Sequence, residues 1–580
     1  MDSRLATVEQ VSHRDFDYII VGGGTAGLVL ANRLSEDPSK TVLVLEAGGA
    51  HFDDPTIKSP ASFGKTFGDA EYDWLLNTTP QEHSDGVSYY WARGKGLGGS
   101  SGVNIFNWER PSKEDINIWE ELGNPGWNWK NYLRYSMRSE RFIPPTDEEV
   151  EEEGLTYDMN IHGTDGPVVV AFPNTRSGFD LDFAETLGKH GFKKLIDPLS
   201  GSRDGVGFEL TTINPATNTR SYSSEAYLEP ILGRSNLSVL IQAFVTKITS
   251  SVSEGELIAS GVEFIVDGKI YWVGAKAEVI LSAGAIKSPQ VLELSGIGDP
   301  AILNRLGIEV KLDLPSVGTN VQDHLLCGVS YELTDEAAAK FITLDPVVNS
   351  AQPEEGAEVH EKGGDSTVAW IAIGTNTLLA ATTLDRAKDI QALAPKSGDA
   401  LGLTEQYMIQ HRCLDAPALE IALYPGFLSS PNLPTPGKKH ISLCASFNRP
   451  FSRGTIHAAS SNPLVNPEIN PHYFQEKFDE ECYVEQIKFM PREVNPGPDI
   501  TDDNLIPWLR KSMGSMFHVI GSTAMLPREK GGVVDSQLRV YGTRNLRVVD
   551  LGVVPLHFAA HPQATVYAIA EQGRNPFCLC

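Results

Sequence analysis

The run FDYIIV, Phe16 to Val21, followed by Gly22-Gly23-Gly24-Thr25-Ala26-Gly27, constrains the fold more than any other stretch of the chain. The first part reads as a buried strand. The glycine turn leads into LVLANRLSED, whose apolar residues recur with helical spacing. A second strand-like run, Thr41 to Leu45, ends in Glu46. Together they form a βαβ unit with G-x-G-x-x-G at its turn. In such a unit Gly22 permits the tight turn, Gly24 lets the backbone approach a pyrophosphate, and Gly27 lets the helix pack close to the strand. The helix N-terminus offers unpaired N–H groups and a partial positive charge to phosphates. Glu46 lies 19 residues beyond Gly27. There it can accept hydrogen bonds from ribose hydroxyls and would repel a 2′-phosphate. The expected ligand is a dinucleotide; the fingerprint does not separate NAD from FAD, because both carry ADP.

With 580 residues, 41% hydrophobic and 21% charged, the chain has the composition of a globular protein with a large core. Acidic residues outnumber basic ones by 75 to 48, a formal charge of −27. That argues against nucleic acid or an anionic membrane as partner. The six cysteines (Cys327, Cys413, Cys444, Cys482, Cys578 and Cys580) form no C-x-x-C pair, so neither a disulfide framework nor a zinc site is indicated. No apolar run is long enough to span a bilayer. The residues before Phe16 lack the apolar segment of a signal peptide, and an intracellular protein is expected.

Further elements are readable along the chain. Glu278 to Ala283 looks like a strand and Ser288 to Leu294 like a helix closed by Gly296. Val262 to Val266 and Ile270 to Val273 flank Asp267-Gly268 as a hairpin. The acidic run 146–153 reads as an exposed loop or helix face, and the polar segment 350–366 as a surface loop or lid. Residues 545–555 read as a buried strand and its exit, and His561 to Gly573 as a helix.

Two short patterns suggest competing chemistries. GLGGSSGVN contains Gly98-Gly99-Ser100-Ser101-Gly102, which fits the G-x-S-x-G elbow of serine hydrolases. An elbow serine needs a hydrophobic strand before it and a helix after it. Here ARGKGLGG precedes Ser100 and VNIFNWERP follows it, so the loop is read as a phosphate cradle instead. His557 and His561 have the i, i+4 spacing of metal ligands. They lack the H-E-x-x-H glutamate and Pro562 adjoins them, so zinc is set aside and no metal is expected.

Five blocks now combine: GKGLGGSSGVNIFNWERP (94–111), GAIKSPQVLELSGIG (284–298), LPSVGTNVQDH (314–324), SRGTIHAAS (452–460) and the C-terminal series FHVIGSTAM, GGVVDSQLRVYGTRNLRVVD and AAHPQAT. With the N-terminal fingerprint they make the chain resemble the glucose-methanol-choline oxidoreductases over nearly its whole length, in particular the glucose oxidase and aryl-alcohol oxidase branch. The resemblance implies an α/β fold, α+β overall. A Rossmann-like FAD-binding domain would be assembled from residues 14–60, 80–112, 225–330 and 530–580. A second α+β substrate domain would be built from 155–224 and 331–529. It implies FAD as cofactor, with Gly98, Gly99 and Ser100 against the pyrophosphate. Asn104, Ile105, Phe106 and Asn107 would pass under the isoalloxazine ring. Ala47, Val245, Asp550, Leu551, Pro562 and Gln563 would complete the bed begun by Gly22, Gly24, Thr25, Ala26, Gly27 and Glu46. Members that tether the flavin carry a histidine just before the asparagine. Val103 stands there, so the flavin is expected to be non-covalent.

Oxidising an alcohol on a flavin requires a base for the hydroxyl proton and transfer of the α-hydride to flavin N5. A neutral imidazole suits the first task. The resemblance assigns it to His518, with His561 as the second histidine, bonded to the substrate oxygen. The expected partners are a small, primary alcohol and O2 or another electron acceptor. The alternative is a lyase or cyclase on the same FAD fold. Phe517, Trp91 and Phe106 hint at an aromatic pocket for a flat or apolar alcohol.

Overall fold

The computed structural model describes residues 3–173, 178–341, 343, 369–374, 384–414 and 417–574. The expected loop at 350–366, with Cys578 and Cys580, lies outside them.

Strand β1 (Asp15–Val21) leads through the glycine turn into α1 (Thr25–Leu34) and then β2 (Val42–Leu45). β1 and β2 pair in parallel, Tyr18 to Val21 against Val42 to Leu45. Every residue of β2 is buried. Burial on both faces is why these strands read as continuous apolar runs rather than alternating ones. β3 (Leu237–Leu240) extends the sheet beyond β2, again in parallel.

On the other side of β1 the sheet continues through three antiparallel strands. These are β4 (Phe244–Ser253), β5 (Glu256–Val266) and β6 (Lys269–Leu281), giving the order β3-β2-β1-β6-β5-β4. The second arm of the expected hairpin and the expected strand at Glu278 are thus one 13-residue strand. Its first half pairs with β5 across the Asp267-Gly268 turn, where both residues have positive φ (48° and 73°). Its second half lies parallel to β1 and to β7 (Leu546–Val548). β7 is shorter than the sequence suggests. The Asp550 side chain accepts the Gly552 N–H at 2.8 Å and turns the backbone into a short 3-10 segment, Leu551–Val553.

Helix α2 (Gly284–Leu294) starts one turn earlier than expected and carries Pro289 inside it. A proline there has no N–H for the Ala285 carbonyl; the Ser522 hydroxyl donates to that oxygen instead. The last helix, α3 (Gln563–Gly573), has ten of its eleven residues buried, as expected of an element enclosed all round. It packs on α1. Its buried Glu571 pairs with Arg33 of α1 at 2.7 Å and accepts the Tyr227 hydroxyl at 2.9 Å. The acidic run forms an exposed helix, Asp147–Glu153, with Thr146 and Glu149 making a capping box.

A second, six-stranded antiparallel sheet has the order Gly514–Ser515, Leu325–Glu332, His440–Phe447, Pro417–Tyr424, Ala369–Gly374, Gly205–Phe208. It has its own core, with helices Lys477–Phe489 and Asp502–Ser512 packed into it. Leu325–Glu332 pairs with His440–Phe447 along all eight residues. The expected domain break at residue 330 therefore falls inside a strand, and continuous ladder pairing places the whole strand in the second sheet.

Gly27 is the tightest point between α1 and β1. A Cβ there would stand 2.0 Å from the Gly22 carbonyl oxygen. Gly27→Ala is expected to cost about 1–3 kcal/mol by overpacking, read as a lower midpoint of thermal unfolding. Gly233→Ala, with nothing within 4 Å, should unfold like the wild type. Equal midpoints for all three proteins would refute the close-packing role of Gly27.

Candidate active site

A cavity of about 670 Å³ opens at the carboxyl ends of the parallel strands, where Val21, Leu45 and Ser282 line it. Ligands of open α/β sheets bind at this edge. Gly22, Gly24, Thr25, Ala26, Glu46, Ala47 and Val245 line one part of it. Gly99, Ser100, Asn104, Ile105, Asn107, Asp550 and Leu551 continue the wall, and His518, His561, Pro562 and Gln563 close it.

Three residues expected at the cofactor do not line the cavity. Gly27 packs under the Gly22 carbonyl. Gly98 has φ +102°, and the Tyr222 ring fills the space where a side chain would go. Phe106 is fully buried, with φ +71° and the Arg220 guanidinium 3.8 Å over its ring. All three build the wall from behind.

The residues present fit a dinucleotide. Gly24 caps α1 with no side-chain hydrogen bond, so the first-turn N–H groups face the cavity unsatisfied. Asn107 Oδ1 is buried without a partner on the same wall.

Glu46 does more than the sequence suggests. Its two oxygens accept three backbone N–H groups: Gly23 at 2.7 Å, Gly48 at 2.8 Å and Gly96 at 3.2 Å. Burial pushes this carboxyl above its ordinary range, and the three N–H groups oppose that shift. Ser100 is held within the glycine loop. Its Oγ accepts the Gly94 N–H at 3.3 Å and faces Arg93 Nη1 at 3.5 Å, and no imidazole is among its partners.

The two expected histidines meet across the far end, ring centroids 4.8 Å apart. His518 follows Phe517, whose backbone is left-handed (φ +63°). The turn is held on both sides. The His518 N–H donates to Asp323 Oδ1 at 3.0 Å, and Arg93 donates to the Phe517 carbonyl. His557 Nε2 donates to the His518 carbonyl at 3.0 Å. The Nδ1 atoms of His518 and His324 are 2.9 Å apart. Burial is the main reason His518 stays neutral, well below the ordinary imidazole range; His561, His557 and Arg93 add to it.

His561 has the opposite surroundings. Its backbone N–H donates to Glu109 at 3.0 Å, and its Nε2 faces Glu420 Oε1 at 3.5 Å. Burial opposes a charge on this ring, but Glu109 and Glu420 outweigh it and raise its pKa. Behind it Glu109, Glu209 and Glu420 cluster around Arg203, 2.9 Å from Glu109 and 3.4 Å from Glu420. Burial and the neighbouring Glu109 push the Glu209 carboxyl well above the ordinary carboxylate range. His557 and His561, the i, i+4 pair set aside as a zinc site, do not share a helix.

Phe63, Phe67, Trp74, Tyr90 and Phe517 give the cavity an aromatic wall. Phe517 meets Phe67 and Tyr90 edge-on, each at 5.7 Å. Trp91 and Phe106 are core residues behind it. The sequence reading did not single out Arg93, Glu109, Arg203, Glu209, His324 and Glu420, and it weighed His557 only as a metal ligand. Arg93, Glu109 and His324 stood in quoted stretches, but nothing local marked their side chains.

Fold and cavity together define a dinucleotide-binding protein, and comparison with known proteins refines this. The sequence profile of GMC oxidoreductases matches residues 16–326 in its N-terminal part and 450–570 in its C-terminal part. The GMC oxidoreductase family protein Mala s 12 of Malassezia sympodialis is 35% identical, over 96% of this chain and 91% of that protein. An FAD-dependent oxidoreductase from Chaetomium thermophilum superposes with a TM-score of 0.84 at 28% identity, over 97% of this chain and 99% of that one. A fungal aryl-alcohol oxidase does so with 0.80 at 27%, over 97% and 98%. The chain belongs to the GMC oxidoreductase family and is an FAD-dependent oxidoreductase.

Glu46→Gln replaces one acceptor oxygen by a donor facing backbone N–H groups. The expected cost is about 1–3 kcal/mol, with less FAD retained per chain on gel filtration. Full retention with unchanged stability would contradict the bridging role of Glu46.

Proposed function

We propose that the protein oxidises a flat, primary alcohol to an aldehyde, with His518 as the base and His561 as the cationic hydrogen-bond donor to the substrate oxygen. The observation that carries this reading is the pair of facing imidazoles whose surroundings push their pKa values in opposite directions. Groups whose environments push their pKa values apart divide acid and base roles between them. FAD, when bound, supplies the hydride acceptor and passes the electrons to O2 or another acceptor. Neutral His518 removes the hydroxyl proton. Charged His561 steadies the developing alkoxide. The aromatic wall admits a planar substrate and excludes water, and the likeness to an aryl-alcohol oxidase supports that substrate class.

His518→Ala is expected to keep FAD and to slow anaerobic flavin reduction by ~10²–10⁴. Stopped-flow bleaching with a panel of benzyl-type alcohols checks this. An unbleached spectrum with every alcohol would favour the lyase alternative, and an unaltered rate would remove His518 as base. The pH dependence has a definite sign. Because the pKa of His518 is lowered, it remains a base as pH falls through the ordinary histidine value of about 6.5. Because that of His561 is raised, it remains charged as pH rises through the same value. The kcat/KM plateau should therefore span about pH 6.5; an acid limb centred there would contradict the assignment.

The flavin is held without a covalent bond. Val103, nearly buried on the cavity wall, has no atom that forms such a link. Acid precipitation should leave intact FAD in the supernatant; yellow colour in the pellet would refute this.

A further inference from the structure

A base must present a lone pair, and neutral His518 has one N–H and one bare nitrogen. Its Nδ1 is engaged by His324; among the described residues Nε2 makes no hydrogen bond, and the residue lines the cavity. In a contact between two Nδ1 atoms only one carries hydrogen. If His324 donates, His518 bears its proton on Nε2 and has nothing to offer a hydroxyl. If His518 donates, Nε2 is bare.

The base role decides between the two: a His518 that takes up the hydroxyl proton needs its own hydrogen on Nδ1, facing His324. His557 is fixed: its Nε2 donates to the His518 carbonyl and its Nδ1 accepts the Phe558 N–H at 3.0 Å. The His324 ring, fully buried, stacks on His557 with centroids 3.6 Å apart. It does not line the cavity. Burial, together with His557, His518 and His561, keeps His324 neutral, so it too has one N–H. Its Nε2 has no hydrogen-bond partner among the described residues. Ring protons are assigned from such networks; with His518 as the base, its Nδ1 carries the hydrogen and Nδ1 of His324 is the acceptor.

We propose that His324 is the positioning residue of the base: its Nδ1 accepts the Nδ1–H of His518 and so holds the His518 lone pair on Nε2. When His518 takes up the substrate proton on Nε2, its Nδ1–H is already bonded, and the new charge forms without reorienting the ring. The groups facing His518 are His324, His557, His561 and Arg93, with Asp323 on its backbone N–H. Among these only His324 touches the ring through a nitrogen. This inference rests on His518 being the base.

The test uses holoenzyme labelled with 15N-histidine. The His518 signals are assigned by their loss in His518→Ala. The expected spectrum shows a protonated Nδ1 and a bare Nε2 on His518; a proton on Nε2 overturns the proposal. Kinetics give a second arm, with 4-methoxybenzyl alcohol as the probe. His324→Leu, similar in shape but without an acceptor, should lower kcat by about 10–100-fold with KM nearly unchanged. It should also move the acid limb of the pH profile to lower pH, because His518 becomes a weaker base. His324→Asn keeps an acceptor oxygen where Nδ1 stood and should recover most of the rate. A His324→Leu rate within about twofold of wild type, or equal damage from Leu and Asn at matched FAD content, overturns the proposal. A dead His518→Ala beside a normal His324→Leu sinks this inference alone; an active His518→Ala sinks the base assignment itself. If 4-methoxybenzyl alcohol is not turned over, the spectrum decides.

Discussion

One buried carboxylate draws together the segments on which the cofactor site depends. Glu46 accepts N–H groups from the first glycine turn, from the exit of β2 and from the glycine loop around residue 96. Each of those donors would cost about 1–3 kcal/mol if left buried and unpaired. Their shared acceptor brings the loop onto the start of α1. There Gly98 N–H meets the Gly23 carbonyl at 2.9 Å and Leu97 N–H meets that of Gly49 at 2.9 Å. A Cβ on Gly99 would stand 2.8 Å from the Gly24 Cα. The two walls of the cofactor bed therefore touch glycine to glycine, and no larger residue fits at that contact.

The chemistry at the far end rests on asymmetry between two like residues. His518 lies among other imidazoles and Arg93, groups that repel a proton. His561 lies over Glu109 and Glu420, which attract one. Exchanging the surroundings would exchange the roles, since the isolated side chains are identical. The proposed division of labour thus rests on the supporting residues. Asp323 illustrates this: besides the His518 N–H it accepts the hydroxyls of Tyr473 and Ser515, both at 2.5 Å, and so locks the strained turn at Phe517.

The local part of the site was legible because its residues lie close together in the chain. The turn, helix, strand and acid of residues 16–46 occupy one βαβ unit, where short-range sterics dictate the geometry. The loop from Gly94 was legible for the same reason, and most of the cofactor residues expected there line the cavity. Phe106 and Trp91 were misplaced as pocket residues because an aromatic side chain looks alike in core and in pocket. Only their backbone direction, a left-handed φ at Phe106, separates the two.

By itself, the sequence marked the glycine turn and a dinucleotide site through one contiguous pattern with one physical solution, and the family resemblance pointed to FAD and to the two histidines. The tertiary structure alone decided which charges and hydrogen bonds those histidines meet. Glu109, Arg203, Glu209, His324, Glu420 and His557 come from strands and loops far apart in the chain. They converge only when the second sheet closes over the ends of the first. Their effect on a proton falls off within a few ångströms in space, and distance along the chain carries no record of it.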